Sequence, residues 1–163
     1  CAVARELQVK WDAIEDRIHT FTPPKGRCEV KYNGNYTIID DSYNANLEST
    51  LAALDYLNAF SGSGNKIFIL GDMLELGNHS KKLHRSIAPI INRTKIDKVF
   101  VKGNKISYTF NSILKPKRGK IFNNDYQIMD LIKNQLNNND FLMIKASNAT
   151  GFNKIVNDLK GLK

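Results

Sequence analysis

The stretch YTIIDDSYNAN, residues 36–46, begins as an apolar strand and ends as a polar elbow, and a helix-like run follows it from Leu47 to Phe60. Two carboxylates, Asp40 and Asp41, stand where the strand is predicted to stop. Proteins of the α/β class place ligand-binding groups between the carboxyl end of a strand and the next helix. An ordinary interpretation is equally open, because an acid can end a strand and Asn46 can cap the helix.

Short apolar strands alternate with helix-like runs along the rest of the chain. Strands are predicted at 29–32 and 36–40, joined by a hairpin turn at 33–35, and then at 66–70, 98–101, 120–122 and 141–144. Helices are predicted at 2–21, 47–60, 80–92, 105–114, 125–136 and 151–159. This alternation predicts an α/β fold: a Rossmann-like, doubly wound, mostly parallel sheet of about six strands with one antiparallel edge strand.

Composition and charge limit the class of protein. With 163 residues, 42% of them hydrophobic, we expect one domain with a real core and a short appended piece. The formal net charge is +8, but the basic residues are scattered. No basic helix carries interleaved aromatics, which argues against nucleic acid. An anionic small ligand fits the charge, and so does an AT-rich genome that favours Lys and Asn. The two cysteines and three histidines lack metal-binding spacing, so no metal site is expected in this chain.

The sequence also gives expectations for the cellular compartment and for the domain boundary. No apolar run approaches the ~20 residues that span a membrane, and no signal peptide is visible. Sparse cysteines favour a reducing, cytoplasmic setting. The chain opens on Cys1 rather than Met, and the TPPKG stretch after the first predicted helix resembles a linker. We therefore expect a piece of a longer protein, with a boundary between residues 1–22 and residues 23–163.

Polar residues follow the carboxyl ends of four predicted strands. They are Asp40, Asp41, Tyr43, Asn44 and Asn46; then Gly71, Asp72 and Glu75; then Lys102 and Gly103; and finally Lys145, Ser147 and Asn148. Because parallel strands end at one edge of a sheet, these residues should form a polar ring. The chain has neither a G-x-x-x-x-G-K-[ST] loop nor a G-x-G-x-x-G loop. If it helps to use a nucleotide, another domain must hold the phosphates.

Structural interpretations remain open for several individual residues. Arg27, just before the first strand, can be a surface arginine, and Glu75 can be a solvated surface residue. Lys145 can be a surface lysine, although it directly follows the apolar run FLMI. His84 lies on a predicted helix, where a histidine is more often structural than catalytic.

Four stretches together resemble the C-terminal domain of the Mur ligases, in that family's order and spacing. They are GRCEV from Gly26, IIDDSYNAN at 38–46, ILGDMLELG at 69–77 followed by Leu83 and His84, and IKASN at 144–148. The resemblance runs from about Pro24 to the end. It implies that residues 1–22 are the terminal helix of a preceding central ATPase domain and that 23–163 are the Mur ligase C-terminal domain.

Two residues depart from the family pattern. Leu47 stands where the family usually has a proline after YNAN, and we expect this change to loosen the elbow. Ala146 stands where the family has a glycine, and we expect its methyl group to lie near whatever Ser147 approaches.

DDSYNAN with GDMLELG resembles the branch of the family that adds D-alanyl-D-alanine to UDP-N-acetylmuramoyl-tripeptide in peptidoglycan precursor synthesis. The resemblance implies a cytoplasmic amide ligase that uses ATP through an acyl-phosphate intermediate, with Mg²⁺ held mainly by the central domain. Its partners would be the UDP-muramoyl-tripeptide, D-alanyl-D-alanine and the other domains of the enzyme. We expect a monomer that binds no nucleic acid and spans no membrane, and we expect this part alone to be inactive.

The resemblance also implies roles for the polar ring. Asp41 would hold the ribose hydroxyls, and Arg27 would reach the phosphate or ribose side of the nucleotide. The elbow around the nucleotide would be shaped by Tyr43, Asn44 and Asn46. D-Alanyl-D-alanine is expected near Lys145, Ser147 and Asn148, and the same side is assigned to Asp72, Glu75 and His84.

Two alternatives stay open. One is a free-standing Rossmann-like module that binds an anionic ligand or a partner protein. The other is a different enzyme of the Mur ligase superfamily, such as a polyglutamate-adding one, and DDSYNAN and GDMLELG speak against it.

Overall fold

Six strands form one mixed sheet in the computed structural model, which describes residues 2–22, 24–32 and 35–158. The strands are β1 Glu29–Tyr32, β2 Thr37–Asp41, β3 Lys66–Gly71, β4 Lys98–Lys102, β5 Arg118–Ile121 and β6 Phe141–Lys145. Their order is β1-β2-β6-β3-β4-β5, with β1 antiparallel to β2 and the other pairs parallel. The predicted fold class is therefore confirmed. Most of the predicted hairpin turn, residues 33–34, lies outside the described residues.

Helices cover both faces of the sheet. They are α1 Ala2–Glu6, α2 Trp11–His19, α3 Leu47–Ala59, α4 Ser80–Arg93, α5 Ser107–Phe110, α6 Asp125–Asp130 and α7 Phe152–Asp158. One apolar cluster joins the sheet to α3, α4 and α5, and a second joins it to α6 and α7. Neighbouring residues of β2 alternate between them, since Ile39 lies in the first cluster and Ile38 in the second. A strand buried on both faces requires this alternation.

The path of the chain determines where a crevice can form. The helices after β2 and β3 lie on one face, whereas α7, which follows β6, lies on the other. Since β6 sits between β2 and β3, adjacent strands here send their chains to opposite faces. This is the topological switch point, at whose carboxyl edge doubly wound sheets bind ligands.

The predicted helix at 2–21 is broken into α1 and α2, and this prediction was wrong. Gln8, between them, has φ of 55°, in the left-handed region that ends a helix. Helical spacing of Val3, Leu7 and Trp11 could not reveal the break, because all three side chains are exposed and no packing enforces one straight helix.

Two other helices and one strand differ from their predicted bounds. The helix predicted at 105–114 contains only the four-residue α5, and the Arg118 guanidinium binds the Asn111 and Ile113 carbonyls beyond its end. The run predicted at 125–136 continues beyond α6 as the π-type turn Leu131–Gln135. There the Asp130 carboxylate accepts from the side-chain amides of Asn134 and Gln135, four and five residues on. The strand predicted at 120–122 begins two residues earlier, at Arg118.

Within the described residues, none of the helices has the length and apolar character needed to cross a membrane.

Candidate functional site

Asp41 and Lys145 face each other at the carboxyl ends of β2 and β6. They are register partners in this parallel pair, and Lys145 Nζ lies 2.6 Å from Asp41 Oδ2. The same ammonium donates to the Asn44 carbonyl at 2.9 Å. Lys145 is only 2% exposed, so it is not a surface lysine. A buried ammonium is stable only where such partners replace its water. The strand register supplies these partners and thereby brings a charged pair to the base of the elbow.

The segment before β1 packs on the other side of the Asp41 carboxylate. Cys28 N–H donates to Asp41 Oδ1 at 3.2 Å, and the Tyr43 N–H donates to the Gly26 carbonyl at 2.9 Å. The Arg27 guanidinium lies over the Tyr43 ring, 4.1 Å from its centroid. Gly26 has φ of 70°, and a Cβ there would meet the Tyr43 nitrogen at 3.2 Å. The close approach therefore requires glycine.

Burial raises the pKa of the Cys28 thiol, and the neighbouring Asp41 carboxylate raises it further, with Lys145 partly offsetting both. The thiol therefore stays protonated near neutral pH and acts here as a packing group.

A first cavity of about 500 Å³ opens beside this pair, within the size range of small-molecule sites. All five residues assigned from the sequence to the nucleotide line it, namely Arg27, Asp41, Tyr43, Asn44 and Asn46. Lys145 joins them, together with Cys28, Ser49, Ala52, Ala53 and Tyr56, which the sequence did not single out. The only sequence signal for the last group is that Ser49, Ala52 and Tyr56 recur at helical spacing on one face of α3.

The elbow ends in a capping box at the start of α3. Asn46 Oδ1 accepts from the Ser49 N–H at 2.8 Å, and Ser49 Oγ accepts from the Asn46 N–H at 3.1 Å. The capping interpretation of Asn46 is thus confirmed, while the residue also lines the first cavity. Leu47 takes the first position of α3, where a proline is also accommodated, and packs against the core. The capping box holds the elbow with the leucine in place.

A second cavity of about 400 Å³ lies on the far side of Asn44. It is lined by Asn44, Leu74, Glu75, Ser147, Asn148 and Ala149. Three residues assigned from the sequence to the amine substrate therefore come together here, namely Glu75, Ser147 and Asn148. Lys145, assigned to the same side, instead lines the first cavity. Asn44 lines both cavities.

Ser147 connects the elbow to the loop after β3. Its hydroxyl donates to the Ala45 carbonyl at 3.2 Å and accepts from the Leu74 N–H at 2.9 Å. The expected methyl group near these contacts is not found, and that prediction was wrong. Ala146 packs in the apolar cluster on the α6 and α7 face, where a Cβ on Gly71 would lie only 2.5 Å from its methyl carbon. Successive side chains of an extended segment point to opposite faces, which separates Ala146 from the Ser147 contacts.

Asp72 and His84 use their polar atoms inside the protein. The Asp72 carboxylate accepts from the backbone N–H groups of Asn104, Lys105 and Ile106. Fully buried His84 accepts from the Met73 N–H at Nε2, so Nδ1 carries the ring proton and donates to the Ser80 carbonyl at 2.8 Å. Asp72 therefore fixes the loop after β4, whereas His84 fixes the start of the loop that carries Leu74 and Glu75.

The two acids of the elbow are used differently. Asp40 is 5% exposed, pairs with Lys31 at 3.1 Å and accepts from the Ser42 hydroxyl at 2.6 Å. Asp40 therefore holds β2 to the edge strand β1, whereas Asp41 faces the first cavity.

Residues 26–148 match the family model of the Mur ligase glutamate ligase domain. The chain therefore belongs to the C-terminal domain family of the Mur ligases. Over 133 residues it is 31% identical to the UDP-N-acetylmuramoyl-tripeptide–D-alanyl-D-alanine ligase of Bacillus subtilis (strain 168), covering 80% of this chain and 29% of that protein. The ligase of the same name from Buchnera aphidicola (subsp. Baizongia pistaciae) is 31% identical over 160 residues, covering 96% and 34%.

A solved structure of the same kind shares the fold. It is the MurF ligase of Thermotoga maritima in complex with ADP, which matches with a TM-score of 0.82 and 23% identity over 98% of this chain and 36% of that one. The chain thus spans about a third of the length of the proteins it matches.

Proposed function

We propose that this chain is the C-terminal part of an ATP-dependent amide ligase that joins D-alanyl-D-alanine to UDP-N-acetylmuramoyl-tripeptide in the cytoplasm. The observation that carries the proposal is the first cavity, which gathers Arg27, Asp41, Tyr43, Asn44 and Asn46 at the switch point of the sheet. Curated relatives about 31% identical carry that ligase name. A free-standing binding module is not favoured, because family membership and these relatives point to one part of a larger enzyme.

The first cavity suits the nucleoside end of ATP. Asp41 Oδ1 accepts one hydrogen bond from the Cys28 N–H, and Oδ2 accepts one from Lys145 Nζ. Each oxygen therefore keeps a lone pair that can accept from a ribose diol. Arg27 is exposed and presents a planar fork that can grip a phosphate bidentately. ATP would supply the phosphoryl group that activates the tripeptide carboxylate as an acyl phosphate before the amine attacks.

Magnesium and the reacting phosphates are assigned to another part of the enzyme. Within residues 2–22, 24–32 and 35–158, no group of three or more His, Cys, Asp or Glu side chains could hold a metal ion. The chain also lacks a phosphate-loop motif. We therefore place Mg²⁺ in the preceding domain, of which residues 1–22, with α1 and α2, would be the last part.

The second cavity suits the amine substrate. The exposed Glu75 carboxylate can attract an ammonium group, and the Asn44 and Asn148 amides can hydrogen-bond a peptide and its carboxylate. Closure of this domain over the others would orient the amine and exclude water from the activated carboxylate.

The direct test is an assay of the full-length protein with UDP-muramoyl-tripeptide, D-alanyl-D-alanine and ATP. We expect phosphate release and a UDP-muramoyl-pentapeptide mass only when all three are present. Product with a different amine and none with the dipeptide would place the chain in another branch of the family. Absence of nucleotide binding would favour the binding-module alternative.

A further inference from the structure

We propose that Lys145 is a positioning residue, which touches no substrate but holds in place both the Asp41 carboxylate and the wall between the two cavities. The wall is the Asn44–Ala45 segment of the elbow. The inference rests on the proposed function, because it takes the first cavity as the nucleotide site and the second as the amine site.

Two side chains from the end of β6 hold the wall. Lys145 Nζ donates to the Asn44 carbonyl at 2.9 Å, and Ser147 Oγ donates to the Ala45 carbonyl at 3.2 Å. Consecutive carbonyls of the elbow are thus bound by alternate residues of one strand end. Since Asn44 lines both cavities, a shift of this segment changes both.

The ammonium of Lys145 ties the wall to the nucleotide-facing carboxylate. It lies 2.6 Å from Asp41 Oδ2, and the lysine is 2% exposed. Water cannot replace these partners, so the ammonium has to keep both. Its burial also leaves it little direct access to a ligand, and its effect on the nucleotide must pass through Asp41.

The wall continues to the second cavity through Ser147. Its hydroxyl accepts from the Leu74 N–H at 2.9 Å, and Leu74 lines that cavity. A connected set of hydrogen bonds therefore runs from Asp41 through Lys145, the wall and Ser147 to Leu74. Loss of Lys145 should loosen both sites, even though its side chain lines only one.

The experiment uses the full-length protein with Lys145→Met, Asp41→Ala and the double variant. We expect Lys145→Met to weaken ADP binding, measured by calorimetry, about tenfold, as for loss of a charge-assisted hydrogen bond. In the Asp41→Ala background the same change should weaken ADP binding no further, because residues that act through one another are not additive. Lys145→Met should still raise the KM for D-alanyl-D-alanine several-fold in the Asp41→Ala background.

The matched control is Lys66→Met. Lys66 is also a buried strand lysine, 8% exposed, whose ammonium donates to a backbone carbonyl, that of Asn58 at 2.7 Å. Lys66 lies at the amino end of β3, whereas Lys145 lies at the carboxyl end of the neighbouring β6. Lys66→Met should therefore lower stability without weakening ADP binding or raising the KM for D-alanyl-D-alanine. The inference is overturned if Lys145→Met behaves like Lys66→Met, or if its effect on ADP adds fully to that of Asp41→Ala. Unaltered protein that binds no ADP would instead overturn the proposed function.

Discussion

At the residue scale, Asp41 serves the fold and the site together. Its carboxylate accepts from the Cys28 N–H and from Lys145 Nζ, and its side chain remains 13% exposed toward the first cavity. The neighbouring Asp40 is committed to Lys31 and Ser42. Two adjacent acids with opposite orientations therefore provide a natural comparison within one strand end.

We predict that Asp41→Ala raises the KM for ATP of the full-length enzyme roughly tenfold or more. A charge-assisted hydrogen bond to the ribose is worth ~1.5–3 kcal/mol, and its loss falls on nucleotide binding. Steady-state kinetics with ATP varied measures the effect. Asp40→Asn is the control and should leave this KM unchanged, and an unchanged KM in Asp41→Ala would contradict the assignment.

We predict that Cys28 is slow to alkylate at neutral pH. Burial and Asp41 raise the pKa of its thiol above the ordinary 9.0, and the thiolate is the reactive form. Because the protonated thiol is favoured in the folded state, its contribution to the free energy of unfolding is complete below pH 9.0 and declines above it. The rate of iodoacetamide labelling, followed by peptide mass spectrometry, should still be rising with pH at pH 9.0, and a plateau reached below pH 9.0 would refute this.

At the scale of single elements, the start of α3 combines a structural cap with a wall of the first cavity. We predict that Asn46→Ala lowers the free energy of unfolding by about 1 kcal/mol, the usual cost of a lost N-cap, and also raises the KM for ATP. Chemical denaturation and kinetics measure the two effects.

Asn124 is the matched control for this cap. It begins α6 in the same way, accepting from the Gln127 N–H at 3.1 Å, but α6 packs on the other face of the sheet. Asn124→Ala should lower stability by a similar amount while the KM for ATP stays unchanged. Equal effects of both variants on that KM would show that Asn46 matters only as a cap.

At the scale of the whole molecule, residues 1–22 stand apart from the core. Among the described residues, neither apolar cluster contains a residue of α1 or α2. Ile14 of α2 is buried, but Val3, Leu7 and Trp11 are more than half exposed. We predict that residues 23–163 unfold at nearly the same temperature as residues 1–163, measured by circular dichroism. A large drop would contradict the predicted boundary between residues 22 and 23.

We also predict that residues 1–163 show no ATPase or ligase turnover with all three substrates present. The chain carries no phosphate-loop motif to hold the reacting phosphates. The first and second cavities offer two carboxylates, one guanidinium, the buried Lys145 ammonium and amides. Phosphate release measures this, with thermal unfolding as the control that the fragment is folded. Turnover by residues 1–163 would contradict the proposal that another domain holds the reacting phosphates.

The sequence by itself determined the α/β fold, because apolar strands and amphipathic helices are local patterns that carry their own periodicity. It also located the elbow at residues 36–46, because strand ends in a parallel sheet share one edge, and its resemblance to the Mur ligases assigned five of the eleven residues that line the first cavity. It could not reveal the break at Gln8, since exposed helices lack the packing that would make their bounds readable.

Only the tertiary structure decided which side chains work together. Lys145 pairs with Asp41 because β6 inserts between β2 and β3, and the pairing of strands 104 residues apart leaves no local trace. His84 and Ser147 likewise use their polar atoms on backbone groups that folding alone brings near. Local periodicity reports which face of an element is buried, whereas the partners of a buried charge depend on contacts distant in sequence.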